Sequence, residues 1–247
     1  MPLNPKLSKF KGLFITGTDT GVGKTLIAGA IAKILQQAGK SVGVFKPIAT
    51  GCKKTKQGLV SEDAEFLAHC ADSELGIDII NPVTFKIPAA PFACEKAENK
   101  KVDFSRIKAA YEQICKKSDF VIVEGIGGVR VPITKKIDVL TMAKAFNLPV
   151  VIVARSKLGT INHTLLTVDA VQLAGLSLAA VLINGYDEKT KDYAEKTNAA
   201  IIKELGKVKI IATVPFDDTT NMKKFIIGRK VLKALQNVDW ISIIKRK

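Results

Sequence analysis

The chain has 247 residues, of which 47% are hydrophobic, and a formal net charge of +15. It holds ample material for a core, which excludes disorder, and no apolar run approaches the ~18 residues of a membrane helix. The charge favours anionic ligands, but the lysines spread along the chain in short doublets such as Lys53-Lys54 and Lys223-Lys224, with no aromatic-interleaved basic stripe, so dedicated nucleic-acid binding is not expected.

The N-terminus carries Asn4, Lys6, Ser8 and Lys9 with no apolar segment behind them, unlike a secretory signal. The first apolar run, residues 13–16, reads as a buried strand. Residues 24–38 follow with Ile27, Ile31, Ile34 and Leu35 at helical spacing, stopped by Gly39. Residues 42–45 form the next strand. Ser61 is placed to cap a helix with Glu62, Asp63 and Glu65 in its first turn, where carboxylates suit the helix dipole.

Pro82, Pro88 and Pro91 mark a loop, and residues 104–117 a long helix with Ile107, Ala110, Tyr111 and Ile114 on one face. Residues 120–123 and 150–153 are uninterrupted apolar strands, as in the centre of a parallel sheet. Helices are predicted over 138–146, 160–174 and 190–205, strands over 178–183 and 210–214, and a short helix with a tail after residue 221. The four cysteines, Cys52, Cys70, Cys94 and Cys115, include no C-x-x-C pair and read as reduced thiols of a cytoplasmic protein. This alternation predicts one α/β domain over residues 1–247, a doubly wound, mostly parallel sheet in a three-layer α/β/α arrangement like that of P-loop NTPases. Ligands are expected beyond the carboxyl ends of its strands.

The first strand runs into Gly17-Thr18-Asp19-Thr20-Gly21-Val22-Gly23-Lys24-Thr25 and then into a helix. Backbone N–H groups of such a turn wrap phosphate oxygens, Lys24 reaches the outer phosphates, and the Thr25 hydroxyl suits magnesium. The spacing is a variant, with Thr18 where the strict pattern has glycine. Glu124 closes a central strand before Gly125-Ile126-Gly127-Gly128, which fits an acidic metal partner or a plain strand end in a flexible turn. Lys46 follows the second strand, which is expected near the first, so that this lysine can overlook the same phosphates. A strand-end lysine contributes little to a core, so Lys46→Ala is expected to spare the fold.

These segments resemble the dethiobiotin synthetase family over residues 14–215. The phosphate loop, Lys46-Pro47-Ile48-Ala49-Thr50-Gly51, Glu62-Asp63-Ala64, Val123-Glu124-Gly125-Ile126-Gly127-Gly128 and Lys157-Leu158-Gly159-Thr160-Ile161-Asn162-His163-Thr164 carry the resemblance. It implies closure of a ureido ring from 7,8-diaminopelargonic acid, CO2 or bicarbonate, and ATP, with Mg2+. Lys24 and Lys46 would be catalytic, and Thr25, Asp63 and Glu124 would hold the metal. Gly21, Val22, Gly23, Leu26, Gly125, Ile126, Gly127, Asn184, Pro215, Phe216 and Asp217 would complete the nucleotide site.

Thr50 would meet the diamine end of the substrate. Leu158, Gly159, Thr160 and Asn162, at a helix start, would take its carboxylate from the partner subunit of a homodimer. His163 is read as structural. Neither nucleic acid nor membrane is an implied partner. Pro88-Ala89-Ala90-Pro91-Phe92 departs from a more polar family version.

A second reading is a nucleotide-switched ATPase of the partition and division-site kind. Those loops carry a signature lysine where this chain has Asp19, which argues against it.

Overall fold

The computed structural model describes residues 10–56 and 58–245. The N-terminal reading at Asn4, Lys6, Ser8 and Lys9, and the basic end Arg246-Lys247, lie outside the described residues. The chain runs β1 (Gly12–Gly17), α1 (Lys24–Gln37), β2 (Val42–Phe45), β3 (Ile48–Ala49), β4 (Lys53–Thr55), β5 (Gly58–Val60), α2 (Glu62–Cys70), α3 (Ile77–Ile80), β6 (Val83–Thr84), α4 (Pro91–Ala97) and α5 (Phe104–Lys116). It continues through β7 (Phe120–Gly128), α6 (Val139–Phe146), β8 (Val150–Arg155), α7 (Thr160–Leu173), β9 (Leu178–Tyr186), α8 (Tyr193–Gly206), β10 (Ile210–Pro215), α9 (Arg229–Gln236) and α10 (Trp240–Lys245).

Six strands form the main sheet in the order β10-β9-β8-β1-β7-β2, and every neighbouring pair is parallel. Continuous apolar runs make sense here because successive side chains point to opposite faces, both of which are covered. In β1, Phe14 enters one core with Tyr111 of α5, Phe146 of α6, Val168 of α7 and Ile202 of α8. Its neighbours Leu13 and Ile15 enter the other, with Ile27 and Ile31 of α1, Phe66 of α2 and Trp240 of α10. Each large apolar side chain so buried contributes about 1.5–3 kcal/mol. Three layers, α/β/α, result.

Strand β2 lies near β1, as expected, with β7 between the two. Several expectations change. Strand β7 runs past Glu124 to Gly128, resuming its pairing with β1 at Gly17 after an irregularity. The proline-marked stretch contains β6 and α4 as well as loop, with Pro91 at the α4 N-terminus, where a missing N–H costs nothing, and the short α3 precedes it. Helix α8 begins at Tyr193 because Asp192 caps it by accepting from the Ala194 N–H. The chain's end packs as two helices: Trp240 is buried and its Nε1–H donates to the Leu235 carbonyl at 3.0 Å. All four cysteines are buried and free. No helix among the described residues is long and apolar enough to cross a membrane.

Candidate active site

Parallel strands bring their carboxyl ends to one edge, and the motif residues gather there. Between β1 and α1, Gly21 and Gly23 adopt φ of 74° and 95°, torsions that favour glycine. A Cβ on Gly21 would meet nothing within 4 Å, whereas one on Gly23 would lie 2.1 Å from Nδ2 of Asn184. The turn is therefore open on one side and closed on the other by Asn184, whose Nδ2 donates to the Val22 carbonyl at 2.9 Å. Gly23 caps α1 without any side-chain hydrogen bond. The first N–H groups of the helix are thus left for an anion.

Lys24 Nζ donates to the Asp19 carbonyl at 2.9 Å. Burial lowers its pKa, with Glu124 opposing and Lys46 adding to the fall. Lys46 is buried beyond the end of β2, its backbone pinned on both sides. The Lys46 N–H donates to the Ile80 carbonyl at 2.8 Å, and Asn81 Nδ2 donates to the Lys46 carbonyl at 2.6 Å. The Lys46 ammonium lies 2.6 Å from Glu124 Oε1 and 3.0 Å from Asp63 Oδ2. Burial works against that charge, but Glu124 and Asp63 outweigh it and hold the pKa above the ordinary lysine value.

The two carboxylates share this one ammonium unequally. Glu124, almost fully buried, has its pKa raised by burial against the pull of Lys46. Asp63, with a side chain 41% exposed, has its pKa lowered because Lys46 outweighs burial. Asp63 is placed by the start of α2, where Ser61 Oγ accepts from the Ala64 N–H at 3.4 Å. Thr25 Oγ1 donates to Glu124 Oε1 at 2.9 Å, while Glu124 Oε2 is buried with no hydrogen-bond partner among the described residues.

A cleft of about 720 Å³ opens over this cluster. Gly21, Gly23, Lys24, Thr25, Leu26, Lys46, Thr50, Asp63, Glu124, Ile126 and Gly127 line it, while Val22 lies in the phosphate-loop turn and Gly125 in β7 between Glu124 and Ile126. Pro88, Ala89, Ala90 and Val131 form an apolar wall, joined by Met222. Thr20 also lines the cleft; position within the loop was the one signal for it. Pro215 ends β10 beside β9, Phe216 and Asp217 follow it, and the Phe216 N–H donates to the Tyr186 carbonyl at 2.8 Å. Asp217 Oδ1 accepts from Thr219, and Oδ2 accepts from the Lys230 N–H at 2.8 Å, so both oxygens are engaged within the chain.

Leu158, Gly159, Thr160 and Asn162 do not line this cleft. Gly159, with φ of 89°, opens α7 without a side-chain cap, and Leu158 beside it is 81% exposed. His163 is exposed on the same turn. Two residues the sequence reading passed over sit nearby. Arg155, at the end of β8, pairs with Asp19 of the phosphate-loop turn, and Glu195 of α8 takes Ser156 and Lys157. Arg155 carried the same signal as Lys46, a cation directly after an apolar strand.

A family model described as an AAA domain matches residues 11–224. The chain is 38% identical over 239 residues to the ATP-dependent dethiobiotin synthetase of Thermodesulfovibrio yellowstonii, covering 94% of this chain and 99% of that one. It is 39% identical over 225 residues to that of Methanococcus vannielii, covering 89% and 98%. In three dimensions it is similar to the septum site-determining protein MinD of Pyrococcus horikoshii, solved with Mg-ADP, with a TM-score of 0.54, 16% identity and coverage of 97% and 100%. That last likeness speaks to fold alone.

Proposed function

This chain belongs to the ATP-dependent dethiobiotin synthetase family, ATP-using ligases of biotin synthesis, and on that premise we propose how its residues close the ring. It acts as a single domain over residues 1–247, in the cytoplasm, on ATP, 7,8-diaminopelargonic acid and CO2. One substrate amine attacks CO2 and loses a proton, giving a carbamate. A carbamate oxygen attacks the γ-phosphorus and ADP departs, leaving a carbamic-phosphoric anhydride. The second amine then attacks the carbonyl carbon and loses a proton, phosphate leaves with the C–O bond electrons, and the ureido ring is closed.

The observation that carries this reading is the buried Lys46 ammonium, held at 2.6 Å from Glu124 beside the phosphate loop and its Lys24. Negative charge gathers on crowded oxygens in the phosphoryl transfer and again as phosphate leaves, and fixed cations in a desolvated cleft stabilise it. Lys24 would exchange the Asp19 carbonyl for the outer phosphates. Gly21, Val22, Gly23, Thr25 and Leu26 would wrap the phosphates, with Gly125, Ile126 and Gly127 opposite. Asn184 and the turn at Pro215, Phe216 and Asp217 would border the base and ribose. Thr50 would bond the diamine or carbamate end, and the wall at Ala89 and Ala90 suits an alkyl chain.

Magnesium fits the same corner. Thr25, Asp63 and Glu124 are hard oxygen donors, and the orphaned Glu124 Oε2 is a buried acceptor in need of a cation or a water. Two carboxylates and a hydroxyl suit an ion that keeps waters and phosphate oxygens as its other ligands. Bound there, it would neutralise the β- and γ-phosphate oxygens.

Leu158, Gly159, Thr160 and Asn162, at the start of α7, do not line this cleft, which favours a homodimer in which they take the carboxylate of a substrate in the partner's cleft. An α7 stripe of Leu166, 61% exposed, and Leu173, 88% exposed, supports burial against a second copy.

The test is to incubate the protein with ATP, magnesium, bicarbonate and the diamine. Phosphate release that depends on the diamine, with dethiobiotin seen by mass spectrometry, is the expected result. Release that ignores the diamine and rises with DNA, lipid or a partner protein would assign the chain to the switch ATPases instead.

A further inference from the structure

A buried polar cluster where α8 begins takes no part in the chemistry above. The Glu195 side chain is 0% exposed, a costly place for a charge. Its Oε1 accepts from Ser156 Oγ at 2.6 Å and from the Asp187 N–H at 3.1 Å, and its Oε2 accepts from Lys157 Nζ at 2.6 Å. Asn198, on the next turn of α8 and also buried, donates from Nδ2 to the Ser156 carbonyl at 2.8 Å.

One carboxylate oxygen therefore bridges two loops. Ser156 and Lys157 lead directly into the open α7 start at Leu158 and Gly159. Asp187 directly follows β9, the strand that carries Asn184, the residue tied to the phosphate-loop turn through Val22. An apolar side chain would fill the same space with less desolvation, but it would not fix the direction of two loop backbones.

We propose that Glu195 is a positioning residue that sets the base-side end of β9, which carries Asn184, and the carboxylate-accepting segment 158–162 in one register. The site for the nucleotide and the segment offered to the partner's substrate then share a single anchor. Burial opposes the Glu195 charge, yet the hydrogen bonds from Lys157, Ser156 and Asp187 hold its pKa at about 2, so it stays ionised wherever the protein is folded and active. The proposal rests on the roles given above to Asn184 and residues 158–162.

The experiment pairs Glu195→Ala with Glu195→Gln, which keeps an acceptor for Ser156 and Asp187 but loses the ion pair with Lys157. Hydrogen exchange followed by mass spectrometry is the readout that needs no substrate. In Glu195→Ala, exchange is expected to quicken in 156–162 and 184–187 together and to stay unchanged in residues 17–25. In turnover assays the KM values for ATP and for the diamine rise together, by about tenfold each, while kcat stays within about threefold. Glu195→Gln falls between the two, which keeps the test open if the alanine variant fails to fold. Exchange that quickens in one loop only or in neither, or a fall in kcat with both KM values unchanged, overturns the proposal. A wild-type protein that ignores the diamine would sink the ligase chemistry, while the exchange result would still judge the hold of Glu195.

Discussion

Replacing Lys46 with alanine leaves Glu124 and Asp63 facing each other across a buried gap. Turnover is expected to fall by at least about a thousandfold, because a fixed cation is lost where oxyanion charge develops. Stability at neutral pH is expected to fall by about 3–5 kcal/mol, the cost of stranding a buried charge. The sequence placed this lysine at a strand end and gave it no part in the core, and only its burial between two acids changes that. The effect has a pH signature. Burial already raises the Glu124 pKa, and losing Lys46 raises it further. A carboxyl whose folded pKa is raised binds a proton on folding, so its penalty is present above the unfolded pKa and absent below it. The gap in urea midpoint between wild type and Lys46→Ala should therefore narrow as the pH falls from about 8 towards about 4. A gap constant across that range would show that some other lost contact is responsible.

At the scale of elements, α7 gives the sharpest expectation. Leu166 and Leu173 are exposed on it, and its N-terminus leaves backbone donors uncapped. On the dimer proposed above, the wild type should sediment as two chains of 26.6 kDa and Leu166→Glu as one. That variant should bind ADP within about threefold of wild type while the KM for the diamine rises at least about tenfold, since the interface change reaches only the segment at 158–162. Unchanged sedimentation would remove this face from the interface. Elements with strong periodicity were legible in advance: the apolar runs of β1, β7 and β8, the phosphate loop, and α1 up to Gly39. What local pattern does not encode is which strands meet. The insertion of β7 between β1 and β2 is a long-range pairing, and it is what puts Glu124 against Lys46. The buried network at Glu195 and Asn198 was equally hidden, because polar residues at a helix start read as a solvated face until a partner loop covers them. The short pieces α3, β6 and α4 hold too few residues for any period to show, yet α3 and Asn81 pin the backbone of Lys46.

Across the whole molecule, 38 basic residues against 23 acidic ones set up a positive field with no basic stripe to focus it on a polymer. Such a field acts on charged substrates by sign. ATP is strongly anionic and is drawn in, whereas the diamine, with two ammonium groups and one carboxylate near neutral pH, carries net positive charge and is repelled. Salt shortens the reach of the field from about 30 Å at 0.01 M to about 8 Å at 0.15 M ionic strength. The KM for ATP should therefore rise with salt while the KM for the diamine falls or holds steady. The kcat should change little, since Lys24 and Lys46 are buried and poorly screened. Steady-state kinetics at a series of sodium chloride concentrations, with magnesium held constant, separates these effects. If both KM values rise together, salt is acting on the closed cleft or on the subunit contact, and the lysine-rich surface has no part in gathering the nucleotide.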